Sequence, residues 1–337
     1  NVWLPKKGFD DIKREKWYLK DEEINYLSID LELITQQSKW DDARGDAGEA
    51  FYHGADPSWE DIAEHRDIDR DDYVNAWKKD IEDKLNKLGT NVVNSMNLFH
   101  RAGAGGTTLS RRILWDFHTL FPCLILKKIG KETYERLKVI YNNTMLPILI
   151  IAEIRAGSIT QIAINTLRIE LINKGIRALF ICVSRVNDIK IKQYSANLYL
   201  TSEPNMTMNI DECIDMFKAY SRMTSNDEAK KNLEMLTWGD REDWDELRQP
   251  FFYGLFAFGK EYSSISEFID KSMENTKSNT QNGILALAFV TSYSQMGLKK
   301  TDLESIIGDE SDMESFLNNP LIIRKSVGYQ ICHPVIA

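Results

Sequence analysis

The stretch His100-Arg-Ala-Gly-Ala-Gly-Gly-Thr-Thr-Leu-Ser-Arg-Arg-Ile-Leu-Trp115 decides how the chain is interpreted. The apolar residues Val92, Val93 and 96–99 before the glycines indicate a strand, and residues 108–120 indicate a helix. A glycine-rich loop between a strand and a helix is the setting of a phosphate-binding loop, because backbone N–H groups at a helix N-terminus form an anion site. The loop alone leaves an alternative open, namely an ordinary glycine-rich turn.

The loop differs from the common nucleotide loop in lacking a lysine. The common pattern ends in Gly-Lys followed by Thr or Ser, whereas here Gly105 is followed by Gly106. Thr107 is placed to ligate magnesium, but no lysine follows the glycine to reach the terminal phosphates. The sequence therefore predicts nucleotide binding without efficient hydrolysis. The predicted loop residues are Gly103, Ala104, Gly105, Gly106, Thr107 and Thr108.

Two arginines are candidates to replace the missing lysine charge. Arg111 and Arg112 follow Thr108 by three and four residues, so both point roughly one turn up the predicted helix. Direct phosphate contact is awkward from that position, and pairing on the surface is the favoured role.

The composition limits the classes of protein to consider. Of the 337 residues, 43% are hydrophobic and 28% charged, which is ordinary for a globular protein with two or three compact units. The net charge of -9 argues against a broad basic face for nucleic acid. The apolar run 146–154 is too short to cross a bilayer and indicates a buried strand.

The cysteines and the chain ends give two further expectations. The cysteines lie in apolar settings without pairing or metal-ligand spacing, at Cys123, Cys182, Cys213 and Cys332. Buried free thiols in a reducing, cytoplasmic compartment are therefore expected. Because the chain begins at Asn1 and stops at Ala337 on an apolar note, we expect a piece of a longer protein with effector and sensor domains outside it.

Apolar runs around the loop indicate a parallel sheet. Four such runs follow the loop, at 123–126, 147–152, 177–183 and 197–200. Helical segments, notably 161–173, separate them. Continuous apolar strands that alternate with helices are typical of a parallel sheet covered on both faces.

After residue 203 the pattern is helical. Two short helices at 301–307 and 312–317, followed by a hairpin edge at 328–333, fit a winged-helix unit. The predicted fold class is therefore α/β, with a parallel-sheet P-loop NTPase core followed by helical and winged-helix-like domains. The predicted divisions are an N-terminal linker or helical region (1–66), a P-loop nucleotide-binding domain (67–205), a helical domain (206–280) and a truncated winged-helix-like domain (281–337).

Two charged residues are predicted at the carboxyl edge of this sheet. Glu153 ends an apolar run, where a carboxylate can hold magnesium or orient a water near the phosphates. The alternative is that Glu153 is simply the first polar residue after a buried strand. Arg185 ends another run, where it could contact a terminal phosphate, or it is a solvated strand end.

A segment before the loop, Asp67-Ile-Asp-Arg-Asp-Asp-Tyr73, resembles the apolar-Gly-Arg-Glu element that precedes nucleotide loops in signalling ATPases. The resemblance implies that Ile68 packs on the base and that Arg70 fixes the segment. The alternative is that Arg70 pairs with its acidic neighbours on the surface, where such pairs contribute only about 0–1 kcal/mol.

The order of these elements resembles the STAND class of P-loop NTPases, signal-transduction ATPases that include plant and animal immune receptors. The loop, with Arg111-Arg-Ile-Leu-Trp-Asp116 behind it, is similar to that of the antiviral sterile-alpha-motif-domain-containing protein nine family and its bacterial anti-phage relatives. Three more segments support the resemblance, namely Phe51-Tyr-His-Gly-Ala-Asp-Pro-Ser-Trp59, Pro250-Phe-Phe-Tyr-Gly-Leu-Phe-Ala-Phe258 and His333-Pro-Val-Ile-Ala337. The chain departs from that family at His53, where the family has arginine.

The resemblance implies a nucleotide-dependent switch in antiviral or anti-phage defence. Such a switch holds ADP in a closed state, exchanges it for ATP on activation and then forms a homo-oligomer. His333 lies in the region where related ATPases place a histidine on the ADP β-phosphate, and Pro250 where a proline lies near the adenine. A structural His-Pro turn and a simple helix start are the respective alternatives.

The expected cofactors are ADP or ATP with Mg²⁺, and any activity is expected to be that of a slow ATPase. The alternative function is a nucleotide-free scaffold with a degenerate loop that assembles partner proteins. A motor or kinase that acts on nucleic acid is disfavoured, because the chain is acidic and has no aromatic-basic stripe. Neither a membrane nor a nucleic acid is an expected partner of this segment.

Overall fold

A computed structural model describes most of the chain. The described residues are 2–9, 13–35, 51–52, 57–68, 70–87, 93–100, 103–154, 159–185, 208–239, 248–258, 269–270, 272–274, 276–293, 297–319, 321–325 and 328–331. The chain forms two compact units, the first made of Asn1–Ile154 and Ser158–Ala219 and the second of residues 155–157 and Tyr220–Ala337.

The first unit alternates strands and helices along the chain. Its elements are β1 (Trp3–Lys7), β2 (Arg14–Tyr18), α1 (Asp21–Leu27), β3 (Leu31–Leu33), α2 (Trp59–Ala63), α3 (Asp71–Asn86), β4 (Val93–His100), α4 (Gly106–Phe117), β5 (Cys123–Leu126), α5 (Thr133–Thr144), β6 (Ile148–Glu153), α6 (Gln161–Asn173), β7 (Ala178–Arg185) and α7 (Ile210–Met223), which the division between the units crosses.

A five-stranded sheet organises this unit. Its strand order is β3-β5-β6-β7-β4, and β4, β5, β6 and β7 are parallel while β3 runs antiparallel to β5. The predicted α/β fold with a parallel-sheet core is therefore confirmed. The carboxyl ends of the parallel strands meet at one edge, where such sheets bind ligands. The strand predicted at 197–200 lies outside the described residues.

Both faces of the sheet are buried, as the continuous apolar runs predict. On one face α3 and α4 pack side chains such as Ile81 and Ile113 against the strands. On the other face α5 and α6 do so with side chains such as Leu137 and Leu167. Alternate residues of the same strand therefore enter different cores, and a one-residue change of register would exchange the two sets.

Residues that were assigned to a separate N-terminal region form part of the sheet. The strand β3 pairs with β5, and the turn before it is held by Asp30, which is only 2% exposed. Asp30 accepts hydrogen bonds from Arg136 Nη1 at 2.7 Å and from Thr133 Oγ1 at 2.8 Å, both on α5. A three-residue strand carries too little periodicity to be recognised in the sequence, so the predicted boundary at residue 67 did not anticipate it.

The second unit is helical and ends in a hairpin. Its elements are α8 (Asp227–Trp238), α9 (Pro250–Phe258), α10 (Ser278–Tyr293), α11 (Lys300–Ile307), α12 (Glu310–Leu317), β8 (Ile322–Lys325) and β9 (Gly328–Ile331). Helices α10 to α12 share a core with the hairpin, in which Leu287, Leu303 and Phe316 are fully buried. The predicted pair of short helices is present, and the predicted hairpin edge is present over residues 328–331.

None of the described helices combines the length and the apolar character that crossing a membrane requires. The prediction of buried free thiols is confirmed for Cys123, Cys182 and Cys213, and Cys332 lies outside the described residues. Burial raises the pKa of Cys182 to about 11 and raises the pKa of Cys123 as well.

The buried thiols lead to a prediction about chemical reactivity. Because thiolate is the reactive form and burial blocks both ionisation and access, a short pulse of iodoacetamide at pH 7.5 should leave Cys123 and Cys182 unmodified. Both should react fully in 6 M guanidinium chloride. Peptide mass spectrometry measures each site separately, and rapid modification of the native protein at either site would contradict the burial described above.

Candidate functional site

The glycine loop turns the chain from β4 into α4 by means of two left-handed residues. Gly103 has φ of 85° and Gly105 has φ of 79°, values that only glycine adopts without strain. Gly105 is the N-cap of α4, and the first helical hydrogen bond runs from Leu109 N to Gly105 O at 2.9 Å. The N–H groups of Gly106, Thr107 and Thr108 precede that bond, so they are available in the manner of an anion site.

Thr107 and Thr108 lie in the first turn of α4 and are both partly exposed. The carbonyl of Thr107 accepts a hydrogen bond from the buried Ser110 Oγ at 2.8 Å, which tightens this turn. The apolar residues Leu109, Ile113 and Leu114 hold the helix against the sheet. The start of α4 is therefore packed against the sheet, while Thr107 and Thr108 remain partly exposed.

His100, which the sequence analysis did not select, lies under the start of α4. It is the last residue of β4 and is 8% exposed. Its imidazole ring lies so close to Gly106 that a Cβ at position 106 would be 2.6 Å from Nε2. The missing lysine was the signal that could have led to His100, because a position without a side chain leaves a space that another residue must fill.

Arg70 is buried and holds the loop from behind. Its guanidinium Nη1 donates to Ala104 O at 2.8 Å, and Nε contacts Glu212 Oε1 of α7 at 3.4 Å. Arg70 and Glu212 are 5% and 3% exposed, so Arg70 does not lie on the surface as the alternative expected. The implied role of fixing this segment is consistent with the contact, although the contact is with the loop itself and with a helix 142 residues away in sequence.

Glu212 links this arrangement to the start of α7. Its Oε2 accepts a hydrogen bond from Asn209 N at 2.9 Å, and Asn209 Oδ1 accepts one from Glu212 N at 2.9 Å. This reciprocal pair caps the helix N-terminus. The Glu212 carboxylate therefore caps the N-terminus of α7 and also contacts Arg70, which donates to the loop carbonyl of Ala104.

The two arginines of α4 are directed away from the loop. Arg111 Nη1 donates to Glu32 Oε1 at 2.8 Å, and its guanidinium lies 4.8 Å from the ring centre of Trp59. Arg112 Nε donates to Asp67 Oδ2 at 2.8 Å, and the two side chains are only 6% and 5% exposed. Neither replaces the lysine charge, and only Arg111 lies near the surface as expected.

The two predicted charged positions lie at the carboxyl edge of the sheet, Arg185 on the strand next to the loop strand and Glu153 one strand further away. His100 of β4 is opposite Arg185 of β7, and Glu153 of β6 is opposite Val183. Glu153 is the last residue of its strand and is partly exposed, as predicted for a carboxylate at this edge. The backbone of Arg185 ends β7, while its side chain lies outside the described structure, so its predicted phosphate contact stays a prediction.

The three remaining predicted site residues are Ile68, Pro250 and His333. Ile68 is partly exposed in the segment before α3, and its contact with the base stays a prediction. Pro250 is the first residue of α9 in the second unit, as the helix-start alternative predicts. His333 and His53 lie outside the described residues. The adenine and β-phosphate contacts of Pro250 and His333 therefore remain predictions from the resemblance.

Comparison with known proteins finds partial sequence similarity. No family model matches the chain. Human sterile alpha motif domain-containing protein 9-like is 29% identical over 140 residues, which cover 37% of this chain and 8% of that protein. The mouse protein of the same name is 27% identical over 205 residues, which cover 52% of this chain and 12% of that protein. The chain thus corresponds to a small part of these relatives.

Solved structures share the backbone arrangement only loosely. Caenorhabditis elegans PCH-2 has a TM-score of 0.32 and 12% identity, covering 77% of this chain and 72% of that chain. A RuvB variant from Thermotoga maritima has a TM-score of 0.33 and 13% identity, covering 78% and 92%.

The buried contact between Arg70 and Glu212 predicts a defined loss of stability. The Arg70→Met variant leaves a buried carboxylate without this cation, which should lower the free energy of unfolding by about 3–5 kcal/mol. The Arg70→Met/Glu212→Gln double variant removes the uncompensated charge and retains an acceptor for Asn209 N, so it should recover part of that loss. Denaturant unfolding measures both, and a double variant no more stable than the single one would refute the pairing.

The different environments of Arg111 and Arg112 predict different costs of substitution. Arg112→Met should destabilise the fold by about 3–5 kcal/mol, because it removes one charge of a buried ion pair and leaves the Asp67 carboxylate buried without this cation. Arg111→Met should cost at most about 1 kcal/mol, because its ion pair with Glu32 is partly solvated. Urea unfolding of the two variants side by side checks the order, and equal costs would contradict it.

Proposed function

We propose that the chain binds ADP or ATP with Mg²⁺ at the loop 103–108 and that the bound nucleotide controls its state. The observation that carries this proposal is the turn from β4 into α4, in which Gly103 and Gly105 adopt left-handed conformations directly before a helix N-terminus. Such a turn directs several backbone N–H groups to one point and complements the charge of a phosphate.

The residues around the loop fit a magnesium nucleotide. Thr107 supplies a hydroxyl at the position that ligates magnesium in nucleotide loops, and Glu153 supplies a carboxylate at the same sheet edge. Mg²⁺ prefers such oxygen ligands, and it needs only one or two from the protein because phosphates and waters complete its shell. The ion would neutralise phosphate charge, whereas Arg70 acts on the loop backbone through Ala104 O.

The absence of a lysine supports a switch more than an efficient hydrolase. Neither Arg111 nor Arg112 supplies the lost charge, since each is paired with a carboxylate elsewhere. Stabilisation of charge on a transferring phosphoryl group is a principal part of catalysis in such enzymes. Slow turnover lets a bound nucleotide persist, which is what a two-state switch requires.

The biological setting is proposed from the resemblance. The loop sequence resembles that of the antiviral sterile-alpha-motif-domain-containing protein nine family, and the partial identity with two proteins bearing that name supports the resemblance. We therefore propose a STAND-type switch in antiviral or anti-phage defence that forms a homo-oligomer on activation. The rival is a scaffold without nucleotide, which would use the same fold to assemble partner proteins.

The two functions differ in nucleotide content and in response to added ligand. The purified, heat-denatured protein should release ADP or ATP, or its melting temperature should rise when ADP or ATP is added with Mg²⁺. A ligand at 100 times its dissociation constant adds about 2.7 kcal/mol of stability, so thermal melting would detect it. A protein that is empty and shows no shift would favour the scaffold.

Thr107→Ala tests the placement of the magnesium. We expect affinity for ADP with Mg²⁺ to fall by about tenfold or more, because the ion loses a protein ligand, and even groups that only orient such ligands are worth about tenfold to hundredfold. In excess EDTA the variant and the original protein should bind ADP equally, since the hydroxyl acts through the ion. Isothermal titration calorimetry measures both conditions. Arg111→Met, which removes a charge on the same helix, should bind as the original protein does, and an equal loss there would contradict the assignment.

A further inference from the structure

The loop departs from the common nucleotide pattern at two positions, and these two positions are in contact. Aligning Gly-x-x-x-x-Gly-Lys-Thr/Ser on Gly105 and Thr107 puts His100 in place of the first glycine and Gly106 in place of the lysine. The seventh position has thus lost its side chain, and the first position has gained one. The side chain gained at the first position lies where the side chain lost at the seventh would begin.

The ring of His100 occupies the space that a side chain at position 106 needs. A Cβ on Gly106 would lie 2.6 Å from Nε2 and closer still to Cγ and Cδ2, below the 3.0 Å that real Cβ atoms keep. A lysine at position 106 and the imidazole in its present position therefore exclude each other. Only one of these two side chains can lie beside the start of α4, and in this chain it is the His100 imidazole.

The chemistry of an imidazole suits this place. His100 is more than nine-tenths buried, so its orientation is fixed by the surrounding protein. Imidazole carries an N–H donor in either protonation state, and a protein contact on one ring nitrogen orients the other. Nε2 lies 2.6 Å from the Cβ position of Gly106, and Gly106 is the first residue of the helix whose N-terminal N–H groups form the proposed anion site.

We propose that His100 replaces the missing lysine by donating a ring N–H to the phosphate chain of the bound nucleotide. This proposal rests on the nucleotide-binding function proposed above. The common loop has glycine at the first position and lysine at the seventh, whereas this loop has His100 at the first and Gly106 at the seventh. The donor therefore comes from the end of β4 instead of the start of α4. The loop is then a different solution for phosphate binding and keeps a side-chain donor.

The first test separates a donor from a space-filling ring. His100→Phe fills the cavity without an N–H, and His100→Gln keeps an amide donor. Affinity for ADP and ATP with Mg²⁺, measured by isothermal titration calorimetry, should fall about tenfold to hundredfold in His100→Phe, as expected for losing a hydrogen bond to a charged group. His100→Gln should retain more affinity than His100→Phe.

His118→Phe is the matched control. His118 is also buried, follows the other end of α4 and contacts Trp115 O, about 18 Å along the helix from the loop by the rise of 1.5 Å per residue. The control should change the melting temperature without changing nucleotide affinity. An equal affinity loss in His118→Phe, or undiminished affinity in His100→Phe, would overturn the role of His100. Absence of nucleotide binding by the original protein would overturn both this proposal and the proposed function.

The second test exchanges the two side chains. Gly106→Lys alone should lower the melting temperature and fail to improve ADP affinity, because the ring blocks the new side chain. The His100→Gly/Gly106→Lys double variant restores the common pattern, so it should regain the melting temperature and bind ADP at least as tightly as the original protein. A single Gly106→Lys variant that is stable and binds more tightly would show that the ring does not occupy the lysine's space, and it would overturn the proposal.

Discussion

The passage from β4 to α4 is the constraint on which the rest of the first unit depends. Five residues, 101–105, connect the end of the strand to the start of the helix. The connection needs positive φ at Gly103 and Gly105, and a Cβ at either position would introduce strain. Once the turn is made, α4 lies across the sheet and its apolar side enters the core, so loop geometry and core packing are determined together.

Buried arginine–carboxylate pairs join segments of the first unit that are distant in sequence. Arg136 joins α5 to Asp30, and Arg112 joins α4 to Asp67. Arg70 contacts both Ala104 of the loop and Glu212 of α7. Such pairs add little net stability, because desolvation offsets the attraction, yet breaking one is costly. Their effect here is to fix which segments meet, and in particular to fix the loop backbone against two elements that flank it in sequence.

The sequence predicted the fold better than it predicted the side-chain contacts. The apolar run 147–152 predicted the buried strand that is β6, and the helical segment predicted at 161–173 is α6. The antiparallel β3 was missed because three residues carry no clear period. Arg70 was assigned a surface alternative because its aspartate neighbours in sequence are obvious, whereas Glu212, 142 residues away, is adjacent only in the folded chain.

The difference between predicting a fold and predicting side-chain contacts also explains why the sequence did not indicate His100. In the sequence it is one histidine at the end of an apolar run. Its proposed role depends on how close its ring lies to Gly106, and no sequence pattern gives that distance. The absent lysine was visible, and its charge was sought among the next basic residues along the helix. Those residues point away because Arg111 and Arg112 lie a turn beyond the threonines and find carboxylates there. A replacement has to approach from the strand side, since β4 is the element that ends beside the helix start. A glycine at position 106 is then required by the ring, and the loop without lysine follows from packing and need not be a loss of function.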